Sequence, residues 1–139
     1  MTPTKHASTN YRRIYAMIPE LIETRQQYKR YESAGFMPLS FDFLTRDDKG
    51  RYIIAMAHNG VQNGDLMADP DMEIALDPLT GTAEPLTFQN DYLGLYQQVY
   101  IEHNGQRLYS KRLRTDLDEF LYQWLNNIEH QDYVPASRP

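Results

Sequence analysis

The chain contains no cysteine. That absence removes disulfides, thiol nucleophiles and Cys-ligated zinc together. Long hydrophobic runs are missing too. The longest, Ile53-Ile54-Ala55-Met56-Ala57, has the length of a strand, far short of the roughly 18 apolar residues of a membrane-spanning helix. Residues 1–7 lack the apolar segment after a basic start that marks a signal peptide, so a soluble, cytoplasmic protein is expected. The seven glycines are scattered, and none builds a Gly-rich strand-to-helix turn for phosphate. There is no Gly-x-Ser-x-Gly to present a serine nucleophile. Between Val61 and Asp91 the chain has no Lys, Arg or His at all.

What is present describes one ordinary globular domain. A length of 139 residues suits a single domain, and 41% hydrophobic with 24% charged residues excludes the disordered class. A net charge of -5 argues against nonspecific nucleic-acid binding, which draws on a basic surplus. Eleven tyrosines are the unusual count. Tyr joins a large apolar ring to a polar tip and is enriched at binding surfaces, although half-buried tyrosines in a Phe-poor core would account for the number equally well.

Patterning divides the chain into a flexible N-terminus (1–9), a single α+β domain (10–130) and a polar C-terminal tail (131–139). Ser8-Thr9-Asn10 offers N-cap oxygens, and Tyr11, Ile14, Tyr15, Ile18, Leu21 and Ile22 recur at helical spacing. Pro19 predicts a kink in that helix. Helix formers continue from Glu23 to Ser33, with Gly35 as the stop. Leu39, Phe41 and Phe43 alternate with polar residues, residues 46–50 turn, and residues 51–58 return as a central strand. Residues 59–70 read as a loop and residues 71–76 as a strand. After a turn at 78–81 come a short edge strand (83–88) interrupted by Pro85, a further strand (93–102) and a turn at His103-Asn104-Gly105. A final amphipathic helix is predicted from a Thr115 cap, with Asp116, Asp118 and Glu119 in its first turn and Leu117, Phe120, Leu121, Trp124, Leu125 and Ile128 as its apolar stripe. The expected architecture is a kinked N-terminal helix, a mostly antiparallel meander of four to five strands and a C-terminal helix. Both helices should lie on one face of the sheet.

Several segments taken in order carry a family resemblance. They are Asn10-Tyr11-x-x-Ile14-x-x-x-Ile18-Pro19, Pro70-Asp71-Met72-Glu73-Ile74, Ala83-Glu84-Pro85-Leu86-Thr87-Phe88-Gln89, Asp91-x-x-Gly94-x-Tyr96-x-x-Val99-Tyr100 and Leu117-x-x-Phe120-Leu121-x-x-Trp124-Leu125. Together they resemble the YqiB-like family of small bacterial proteins, a domain of unknown function. The resemblance implies a bacterial single-domain protein and no assigned activity.

Three sets of residues could carry chemistry. The acidic segment holds seven carboxylates, among them Asp65, Asp69, Asp71 and Glu73. With His58 ending a neighbouring strand, His58, Asp71 and Glu73 could supply ligands or a base to a metal-assisted hydrolase, and Asp65, Asp69 and Asp71 could bind Mg²⁺, Mn²⁺ or Ca²⁺. The spacing fits no EF-hand, and the plainer reading is an acidic turn. Arg12, Arg13 and Tyr15, with Arg112 from a second basic run, could bind RNA or a nucleotide. The plainer partner for the basic helix is the acidic segment itself. With no catalytic motif and no cofactor implied, the first reading is a non-enzymatic interaction or regulatory module with a protein partner. A hydrolase of a nucleotide or phosphoester and an RNA or nucleotide binder are the alternatives.

Overall fold

The computed structural model describes residues 1–136. Its elements run α1 (Ala7–Met17), α2 (Pro19–Glu23), β1 (Tyr28–Glu32), β2 (Leu39–Arg46), β3 (Tyr52–Gln62), β4 (Asp65–Asp77), β5 (Thr82–Pro85), β6 (Thr87–Asn90), a 3-10 turn (Asp91–Leu93), β7 (Leu95–Gln98), β8 (Tyr100–His103), β9 (Gln106–Tyr109), α3 (Lys111–Glu129) and β10 (Val134–Pro135). The protein is α+β as expected, but with ten strands among the described residues where the sequence suggested four to five. Eight form one antiparallel sheet in the order β10-β1-β2-β3-β4-β6-β7, with β5 also paired to β4, and β8 and β9 form a separate hairpin.

Alternation in the central strands decides what faces the helices. Leu39 and Phe41, Ile54 and Met56, and Met72, Ile74 and Leu76 are buried in one cluster with Ile14, Ile18 and Leu21, and with Leu117, Leu121, Leu125 and Ile128 of α3. Both helical layers therefore cover one side of the sheet, because each apolar stripe needs a partner layer. Pro19 restarts the first helix as α2, with Ile18 as its cap. The missing N–H of Pro costs nothing at that first position.

Several boundaries differ from the sequence reading, each for a physical reason. Residues 24–33 are not helical: Arg25 takes a positive φ of 57°, and Tyr28–Glu32 pairs with β2. Sheet pairing overrides a weak helix propensity here. The supposed acidic loop, 59–70, is mostly strand. Its second Asn-Gly, Asn63-Gly64, makes a two-residue turn at φ 52° and 84°, the geometry that joins strands without splaying them. Pro70 falls where the β3–β4 register shifts between Ala57 and Asn59, so its lack of a donor breaks no ladder bond. The single edge strand expected at 83–88 is two strands, β5 and β6, and 93–102 divides into the end of the 3-10 turn, β7 and β8. In the tail, Val134 and Pro135 pair with β1 and Tyr133 packs on His58, while residues 137–139 lie outside the described residues.

Both helices start earlier than their sequence signals suggest. α3 starts four residues before Thr115, capped by Ser110, whose Oγ accepts from the Leu113 N–H. Asp118 consequently sits in the helix interior and is almost fully buried. α1 starts at Ala7, ahead of Ser8-Thr9-Asn10, and its cap residue His6 makes no side-chain cap. Asp118 fills that role from across the interface. Its Oδ2 accepts from the His6 N–H (3.0 Å) and its Oδ1 from the Thr4 hydroxyl (2.6 Å), while Asn10 donates to its main-chain carbonyl. These bonds hold the segment expected to be flexible, and they place a carboxylate at the positive end of α1. Asp118→Ala leaves those donors unmatched in a buried place and should cost about 2–3 kcal/mol. Urea unfolding would show it, and hydrogen exchange of α1 should rise before that of the sheet.

Candidate functional site

The sheet face away from the helices is set by register. Residues in cross-strand register share a face. Asp42, Ala55 and Glu73 form one row across β2, β3 and β4. Ser40, Ala57, Asp71, Gln89 and Tyr96 form the next row, reaching the edge strand β7. Three carboxylates thus stand over the small side chains of Ala55 and Ala57. Among the described residues none of the three takes part in an ion pair. Arg30 lies in the second row, in register with Ser40, and its guanidinium turns to Glu32 on its own strand at 3.7 Å. Burial, then the charges of Glu73, Asp42 and Asp91, push the Asp71 carboxyl up to about 6. Exposed Tyr92, Leu93, Leu95 and Tyr96 line the adjoining edge.

His58 does not join this group. It lies on the helix side, edge-on to Trp124 with ring centroids 5.2 Å apart and stacked on Tyr133. The Trp124 indole N–H donates to His58 Nδ1 at 3.2 Å. The Tyr133 hydroxyl donates to the Met37 carbonyl and lies 3.0 Å from Nε2. Those partners fix the neutral tautomer with its proton on Nε2, and burial depresses its pKa to about 4. Both ring nitrogens are taken, so His58 is a structural link between β3, α3 and the C-terminal segment. Asp71 and Glu73 point to the opposite side of the sheet, and the three do not converge on one atom.

The proposed cation loop does not assemble either. Asp65 begins β4 at the exposed tip of the hairpin, and six extended residues place it roughly 20 Å along the strand from Asp71. Asp69 Oδ1 accepts from the Asn90 amide instead. Among the described residues no group of three or more His, Asp or Glu side chains is arranged to hold a metal ion. Nor do the basic candidates meet. Arg13 bonds Asn126 and Glu129 and lies over the Tyr122 ring, all on α3. Tyr15 donates to Glu23 and stacks on Tyr11, Arg12 is exposed, and the acidic segment is not the partner of this helix. Arg112, 93% exposed and 3.9 Å from Asp116, is about 14 helical residues, or roughly 20 Å, from Asn126.

One concavity is built from residues far apart in the sequence. A cleft of about 410 Å³ opens at the edge of β5, between the first residues of the chain and the β8–β9 hairpin. Glu84 stands in its wall, accepting from Arg51 Nη1 (2.8 Å), Arg114 Nε (2.9 Å) and the Tyr100 hydroxyl. Arg51 also bonds Asp47 at 2.7 Å. Burial alone would raise the Glu84 pKa, but the three donors outweigh it and hold the carboxyl below its ordinary range. Residues 47, 51, 84, 100 and 114 form no sequence pattern. The local sign was the second basic run, which includes Arg107 and Arg114.

No helix of the described residues is long and apolar enough to cross a membrane. No curated protein and no solved structure matches the chain. The family model that does match is described as a domain of unknown function, DUF6908, and carries no YqiB-like designation. Its match runs over residues 9–134, from within α1 through the first residue of β10, and so takes in the acidic sheet face, the His58 link and the cleft wall other than Met1, Pro3, Thr4 and Ala7; the chain belongs to the DUF6908 family.

Proposed function

We propose that this protein is a non-enzymatic interaction module that docks a positively charged segment of a protein partner on the acidic half of its open sheet face. The observation that carries this reading is the set Asp42, Asp71 and Glu73, without cation partners among the described residues, continuing in register to the exposed apolar edge at Tyr96. A cationic partner would neutralise repulsion that the free protein holds at Asp71, and the strand edge of β7 offers unpaired backbone groups beside it. The hydrolase alternative lacks support in the geometry, since His58 and the two carboxylates lie on opposite sides of the sheet. The finer resemblance to YqiB-like proteins, with its bacterial and cytoplasmic setting, belongs to this proposal. It rests on the quoted motifs, all of which fall inside the matched span.

An oligolysine peptide is the probe. Titrated into labelled protein, it should shift the amides of β2, β3, β4 and β7, and its affinity should fall with salt. Asp71→Asn with Glu73→Gln should weaken it at least tenfold. Shifts elsewhere, an affinity unchanged in the double variant, or a metal-dependent turnover lost in it would overturn the reading.

A further inference from the structure

We infer that the cleft beside β5 is a separate binding site for a small phosphate-bearing ligand with a planar ring, of mononucleotide type. Four cations line it, Lys49, Arg51, Arg107 and Arg114, against two carboxylates, Asp77 and Glu84. Its volume of about 410 Å³ lies within the ordinary range for small-molecule sites. Counting Asp47, which Arg51 also holds, the surplus is one positive charge, which suits an anionic phosphate group.

The cations divide into two kinds. Arg51 and Arg114 are locked against Glu84 at 2.8 and 2.9 Å, so their guanidinium planes are set before any ligand arrives. Arg114 spends only its Nε on that contact, and its terminal N–H groups remain as donors in a fixed fork suited to phosphate. Lys49 and Arg107 make no ion pair among the described residues. Arg107 lies 4.5 Å over the Tyr100 ring, which holds its charge at the cleft without neutralising it.

The aromatic half of the ligand is read from the hairpin. Tyr100 and Tyr109 are paired across β8 and β9 with centroids 6.0 Å apart. Tyr100 is already engaged by Arg107 and Glu84, whereas Tyr109 lines the cleft and is 47% exposed. An open tyrosine face beside a cation surplus is what a nucleobase or similar ring would stack on. Buried Ala7, Ala75 and Ala83 also border the space, and their small side chains are what leaves it open.

Calorimetry and amide shifts with AMP and UMP, against adenosine and inorganic phosphate, test this in the full chain. A nucleotide should bind with its shifts at residues 75–84 and 100–114, and more weakly as salt rises. Adenosine and phosphate should each bind at least tenfold more weakly than AMP. Lys49→Ala and Arg107→Ala should weaken the nucleotide about tenfold and leave adenosine unchanged, whereas Tyr109→Ala should weaken AMP and adenosine together. Arg112→Ala, outside the cleft, should stay within twofold of the parent. The inference is overturned if neither nucleotide saturates by about 5 mM, if shifts fall elsewhere, if phosphate alone binds as well as AMP, or if Arg112→Ala matches Arg107→Ala.

Discussion

Glu84→Ala is expected to destabilise the protein by about 3 kcal/mol, near the lower end for removing one member of a buried charge network. The carboxylate is 14% exposed and accepts from Arg51, Arg114 and Tyr100. Its loss leaves Arg114 without an acceptor, and the Tyr100 hydroxyl with only the weak Met1 Sδ at 3.5 Å, in a partly dehydrated wall. Arg51 keeps Asp47, which holds the figure below the upper end. Glu84→Gln retains volume and an acceptor oxygen but drops the charge, so about half the effect should remain. For a domain of this size the alanine variant should melt roughly 10 °C lower. An exposed ion pair would contribute less than about 1 kcal/mol, and a loss that small would show the network to be ornamental. The pH sign is fixed by the depressed carboxyl of Glu84. Its stabilisation is complete above the ordinary carboxylate range and is lost in acid as Glu84 protonates, so the gap between wild type and Glu84→Ala should narrow as pH falls. Hydrogen exchange should locate the damage at β8 and β9. That hairpin is exposed along its length and joined to the body through Tyr100 and the backbone bonds of Val99 and Ser110.

How far the sequence reading reached follows from the range of the forces involved. Local signals were legible: the strand alternation at Leu39, Phe41 and Phe43, the Pro19 restart, the turn at Asn104-Gly105 and the stripe of α3. Each depends on residues within one or two turns of chain. Where pairing partners are distant, local chemistry misled. Residues 28–32 have the composition of a helix end but were captured by β2. Asn59-Gly60 looked like a turn as good as Asn63-Gly64, yet only the second is flanked by complementary strands. Thr115 with Asp118 resembled a capping box, although Ser110 had the same chemistry and a full extra turn of helix to gain. The acidic segment was noticed as a sequence feature, but its meaning lay in the sheet. It runs from the end of β3 through β4, β5 and β6, with Asp71 and Glu73 sharing a face with Asp42 of β2 while His58 points the other way. The cleft was legible only as the basic run holding Arg107 and Arg114, because its other walls come from residues as far back as position 1.

Asp71→Asn should make the protein more stable at pH 7.5, by about 1 kcal/mol, and that advantage should fade in acid. The folded Asp71 carboxyl titrates at about 6, against 3.8 ordinarily, through burial and the neighbouring charges of Glu73, Asp42 and Asp91. A carboxyl raised on folding binds its proton more tightly in the native state. Asp71 therefore opposes folding above pH 6, and its cost disappears as pH falls from 6 toward 4. The full shift would correspond to about 3 kcal/mol, but water still reaches this face, and screening reduces the figure. His58 works in the opposite direction over the same interval. Its folded pKa of about 4 lies below the ordinary 6.5, so the unfolded chain takes up the proton first and stability is lost as pH falls from 6.5 to 4. In the wild type the two slopes partly cancel, giving a shallow dependence. Asp71→Asn removes one of them and should expose the other, a loss of about 2 kcal/mol between pH 6.5 and 4.5. Urea midpoints of both proteins across pH 4.5–8 decide it. A gain from Asp71→Asn that is constant with pH, or that grows in acid, would mean that no strained carboxylate stands on the open face of the sheet. The cationic partner would then lose the repulsion it is proposed to relieve.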